Sequence, residues 1–206
     1  MSRNKRLDFI LQVPSITNVA QDQTLTAAGD LNLNGSLTSS GTLSLPTAQK
    51  IDFESAADVS AATLTITGTT ELGVGTTETI SAPVSNTVTT AKYWKTISQI
   101  ASSASIGTNM SAGVSDEAKS QTVPMNRYNH TGTTIAIDIG GTINYTVNET
   151  FIDVQGTDTV NWIAISALTS KTADLNTTLT NSHEGLQFVV SSYSSGATLS
   201  ANVLQV

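Results

Sequence analysis

At 206 residues the chain is long enough for one large β domain or two small ones. Its charged share of 12% is about half the usual fraction, so hydroxyls and amides must carry its solubility. A net charge of −7 excludes a general nucleic-acid binder, which needs a basic stripe, and the absence of cysteine excludes disulfide frameworks and Cys-based zinc sites.

Ser and Thr supply roughly three residues in ten, and Thr, whose β-branch suits a pleated surface, outnumbers Ser. Apolar residues nonetheless recur in pattern, which separates this composition from that of a disordered chain. No stretch approaches the roughly 18 apolar residues of a membrane span. Met1–Val13 begins with Arg3, Lys5 and Arg6, but Asp8 interrupts the short apolar run behind them. That is a poor export signal, and the expectation is cytoplasmic synthesis followed by assembly.

Residues 1–20 are expected to form an extended N-terminal arm. Arg3, Lys5 and Arg6 make it the candidate for docking on an acidic partner surface. From Leu25 to Leu45, Leu31, Leu33, Leu37, Leu43 and Leu45 alternate with Asn, Ser or Thr. Turn signals fall at Gly29-Asp30, Asn34-Gly35 and Ser40-Gly41, so two or three short strands are expected, ended by Pro46.

Ile51–Phe53 and the alternating run Ala62–Gly68 continue the pattern, with Leu64 and Ile66 inward. A turn follows at Glu71–Gly75, then Glu78–Ile80. Tyr93, Ile97 and Ile100 have helical spacing, but the surrounding threonines and the lack of a C-terminal glycine cap favour strand. Residues 21–101 thus form a first β-rich block.

Ser102–Gln121 is poor in large apolar residues and reads as a polar linker or loop. Residues 122–206 form a second, sandwich-like β domain. Within it Thr134–Ile139, a Gly140-Gly141 turn and Thr142–Asn148 predict a β-hairpin, and Leu199–Val206 alternates to the end. The fold class is therefore all-β: antiparallel sandwich or barrel-like domains in two blocks behind an N-terminal arm.

Chemistry is sparse. Ser182-His183-Glu184 places three suggestive residue types in a row, yet triad members meet through a fold rather than as neighbours. His130 and His183 are too far apart in sequence for a local metal motif, and no Asp-x-Asp-x-Asp calcium loop occurs. Glu149 and Asp153 could be imagined as a glycosidase pair, but the chain has only two Trp and four Tyr for sugar platforms. Gly73-Val74-Gly75 lacks the third glycine and helix of a dinucleotide fingerprint. The expectation is no enzyme activity, catalytic residue, metal or cofactor.

Gln23–Gly35, Leu64–Thr69, Glu78–Ile80 and Lys95–Ile100 together resemble structural proteins of tailed bacteriophages, as do Val123–Tyr128 and Gly141–Val147. The resemblance implies a virion component, most like a capsid decoration or cement protein on the outer capsid surface. Its implied partners are the major capsid protein and further copies of the chain, with a trimer favoured, and neither nucleic acid nor membrane.

Overall fold

The computed structural model describes residues 3–126, 132–154, 160–181 and 183–205. Among them run seventeen strands and one 3-10 turn, Ser166–Leu168. In chain order the strands are β1 (Arg3–Phe9), β2 (Ser15–Leu25), β3 (Gly29–Asp30), β4 (Thr38–Ser39), β5 (Thr42–Ser55) and β6 (Thr63–Thr69). Then come β7 (Gly75–Ser81), β8 (Thr87–Thr89), β9 (Trp94–Ser102), β10 (Ile106–Lys119), β11 (Val123–Pro124) and β12 (Thr133–Gly140). The last five are β13 (Ile143–Thr150), β14 (Ile163–Ala164), β15 (Leu175–Leu179), β16 (Gly185–Tyr193) and β17 (Thr198–Gln205). The protein is all-β, in a sandwich-like arrangement built mainly on antiparallel pairs.

The chain divides into two compact units. One joins Met1–Leu11 to Lys119–Val206; the other is Gln12–Ala118. In the first, one sheet has the order β1-β17-β12-β15. A second group pairs β13 with β14 and β16, and β11 with β16. Both bury the apolar set of a period-two pattern: Ile135, Ile137, Leu199, Ala201 and Val203 from one, Ile143, Tyr145, Val147, Phe188 and Val190 from the other.

The predicted strands on either side of Gly140-Gly141 are present, but they do not pair as a hairpin. β12 lies between β17 and β15, and β13 lies between β14 and β16. Gly141, at φ +78°, turns the chain from one sheet into the other. Alternation identifies the buried face of a strand and leaves its partner open.

The N-terminal residues also differ from expectation. Arg3–Phe9 is not an extended arm: it pairs along its length with β17, from Arg3↔Gln205 to Phe9↔Leu199, and Phe9 is buried. Leu7 and Phe9 supply the apolar contacts that a free arm would leave in water.

In the second unit β5, β9, β6 and β7 form successive antiparallel neighbours, with β10 on the other side of β5 and β2 on β10. The core gathers Leu43, Leu45, Ile51, Phe53, Leu64, Ile66, Ile97 and Ile100 around a fully buried Trp94. β9 is strand where a helix was the competing reading. Ser40-Gly41 makes the expected turn, with both φ values positive as a tight hairpin requires.

Two expectations fail here. Pro46 does not end a strand but lies inside β5, where the β5–β9 register shifts between Ser44 and Gln49; a residue without an N–H fits where the ladder is interrupted. Ser102–Gln121 is not a polar loop, because Ile106–Lys119 is the 14-residue strand β10. Met110 to Ser115 are buried without a break, and a Cβ on Gly113 would overlap the carbonyl oxygen of Ser15 on β2. Small residues stand there because another backbone passes at close range, which composition alone reads as loop.

Candidate functional site

The basic cluster is resolved by the pleat of β1. Opposed residues of an antiparallel pair share a face, so Lys5 stands with Leu7 and Phe9 over Val203, Ala201 and Leu199, all three buried. Asn4, Arg6 and Asp8 take the opposite, exposed face. There the Arg6 Nε donates to both carboxylate oxygens of Asp8, at 2.9 and 3.0 Å. The Arg6 bond, helped by Ser200, holds the Asp8 carboxyl below its usual range. Arg6 is thus engaged within its own strand, Lys5 is turned to the inner face, and the Arg3 side chain lies outside the described residues.

Lys5 borders a half-open cavity of about 430 Å³. Val123, Pro124 and Met125 form one wall, and Val203 and Gln205 of β17 another. Gln205 also clamps the segment after β11: its Oε1 accepts from the Asn126 N–H and its Nε2 donates to the Asn126 carbonyl, each at 2.9 Å. The result is a hollow with apolar walls and a polar border of Asn4, Lys5 and Gln205, of a size that takes one or two large side chains.

A second polar centre in the same unit joins Glu149 of β13 to His183. Nδ1 lies 2.7 Å from Glu149 Oε2, close enough for charge attraction but not aligned as a hydrogen bond, and Nε2 has no partner among the described residues. The His183 side chain is 1% exposed, and the Phe151 ring sits 6.0 Å away, tilted by 32°. Burial pulls the imidazole below its usual 6.5, opposed by the Glu149 carboxylate. Ser182 and His130 lie outside the described residues. Glu184 is held by its backbone N–H on the Thr150 carbonyl. The structure therefore pairs Glu149 with His183, a combination that neither the row Ser182-His183-Glu184 nor the pair Glu149 and Asp153 anticipated.

In the other unit Lys50 reaches Glu117 at 2.7 Å and lies 5.3 Å from the centre of the Tyr93 ring, whose hydroxyl donates to the same carboxylate at 3.3 Å. Burial, then the Glu117 charge, drives the phenol pKa upward. Among the described residues no three His, Asp or Glu side chains converge as a metal site.

Met125, Val203 and Gln205 were not anticipated as site residues. One signal was present: Leu199, Ala201, Val203 and Gln205 share the inward phase of the last strand, and an amide ends that apolar series.

No family model matches the chain, and no curated protein does. A solved structure of infectious bursal disease virus, Gx strain, aligns with 98% of this chain and 70% of its own, at 13% identity and a TM-score of 0.20. So loose a superposition carries no argument about fold or function.

Proposed function

We propose that this chain is a non-enzymatic structural subunit of a virion, attached to the outer surface of a tailed-phage capsid as a decoration or cement protein. Its partners in this reading are the major capsid protein and further copies of itself, a trimer by preference, and it needs no cofactor.

The observation that carries the reading is the apolar surface at the periphery of each unit. Leu72 and Val74 stand 57% and 59% exposed at the turn between β6 and β7. Phe151 and Ile163 stand 53% and 48% exposed beside the Glu149 strand end. Side chains of this kind, on a molecule with few charges, suit a protein whose surface is covered by neighbours. The resemblance in Gln23–Gly35 and Lys95–Ile100 supplies the particular assembly.

The test is a stained gel of purified virions together with light scattering of the isolated protein. Decoration requires the chain in many copies per particle and as an oligomer in solution. Its absence from virions would overturn the proposal, and a low fixed copy number would move the protein to the neck or tail.

A further inference from the structure

β1 ends its sheet: β17 pairs with it on one side, and among the described residues no strand pairs with it on the other. Such an edge offers a row of backbone donors and acceptors. Its charges run against the rest of the molecule, with Arg3, Lys5 and Arg6 against Asp8 in seven residues, on a chain of net charge −7. A second copy of β1 would bring like charges together, so the edge is defended against self-pairing and open to an acidic strand. The cavity beside Lys5 is walled by this same strand, so a neighbouring strand could place apolar side chains in it.

We propose that the outer edge of β1 accepts an extended, acidic segment of a partner protein as an added antiparallel strand, its apolar side chains entering the cavity bordered by Lys5 and Met125. Main-chain hydrogen bonds supply the affinity, and on the inward face of the added strand the hollow takes an apolar residue while Lys5 meets a carboxylate at the neighbouring inward position. This deepens the subunit reading, on which it rests for the partner being a neighbouring structural protein.

The experiment uses the full chain, labelled with nitrogen-15, and a synthetic acetylated heptapeptide amide with Thr on one face of the strand and Val and Asp in turn on the other. The expected result is saturable shift changes at β1 amides and at Met125 and Val203. Binding should weaken roughly tenfold in Lys5→Glu, and be lost when the peptide carries Lys for its acids or N-methyl groups on alternate amides. If Lys5→Glu loses its native spectrum, Lys5→Gln is read in its place, with a smaller weakening expected.

The proposal is overturned if no β1 amide shifts up to about 5 mM peptide, a level at which even millimolar binding registers. It is equally overturned if the N-methylated peptide binds as well as its parent, or if both Lys5 variants bind unchanged. These outcomes are separate from the virion gel: the chain can be a virion subunit that attaches through another face, and the peptide can bind whatever the particle contains.

Discussion

His183 Nδ1 and Glu149 Oε2 lie 2.7 Å apart beneath a surface where Phe151 is half exposed, and the other imidazole nitrogen is buried with no partner among the described residues. A protonated imidazole would gain from the carboxylate, yet it would also bury a second N–H with nothing to accept it. Burial wins, and the folded protein holds His183 below the ordinary imidazole value of 6.5.

Stability should therefore depend on pH through this residue. Below pH 6.5 the unfolded chain takes up a proton that the folded chain refuses, so stability is present above 6.5 and is lost as pH falls towards the lower folded value. Urea midpoints measured between about pH 7 and pH 5 should fall with acidification, and His183→Gln should flatten that slope. A slope equal in both proteins would remove His183 as its source.

Trp94 fills the centre of the second unit with no exposure, and its indole N–H has no acceptor among the described residues. Trp94→Ala should cost about 3–5 kcal/mol of unfolding free energy. Trp94→Phe should cost much less, because removing an unsatisfied donor offsets part of the lost packing. Chemical denaturation of the two variants gives the comparison directly.

Close backbone approach predicts a sharp contrast between two glycines of one strand. Gly113→Ala would drive a methyl group into the Ser15 carbonyl and should destabilise by about 3 kcal/mol or more. Gly107, on the same β10, has open space where its Cβ would stand, and Gly107→Ala should be within about 0.5 kcal/mol of the parent. Thermal melts of both variants decide it.

Tyr93 should resist ionisation in the folded protein, since burial and the Glu117 carboxylate both oppose a phenolate. Glu117→Gln removes the charge and leaves the burial, so the phenol should titrate at lower pH than in the parent. Ultraviolet absorbance of the tyrosinate band during alkaline titration follows this, with circular dichroism to mark where unfolding begins.

The strand Arg3–Phe9 predicts a stability cost on its removal. Deleting it uncovers β17 and takes away the buried Phe9; Phe9→Ala alone should cost about 3 kcal/mol. A detached arm could be trimmed with no change in melting temperature.

Side-chain periodicity made most individual strands legible. Leu64 and Ile66, Ile135 and Ile137, and Leu199 to Val203 are buried as their spacing requires. Partnership was not legible, since Ile137 and Ile143, on either side of the same glycine turn, belong to different sheets. β10 was hidden because Ser111, Gly113 and Ser115 are small for steric reasons, and the same residue types mark loops. The cavity was partly legible: Lys5 drew notice by its charge, whereas Met125 becomes a wall only when the fold brings β11 near β1 and β17.

The pairing of β1 with β17 also bears on how the molecule is made. Arg3 meets Gln205, and the whole of Gln12–Ala118 is strung between β1 and the remainder of its unit. Synthesis from the N-terminus completes the inserted unit first, while the opening strand waits for the last to emerge. Folding of Gln12–Ala118 shortens the loop that this final pairing must close and lowers its entropic cost. The closing unit should accordingly acquire its structure late, with β1 solvated until then and exposed to chaperones and proteases.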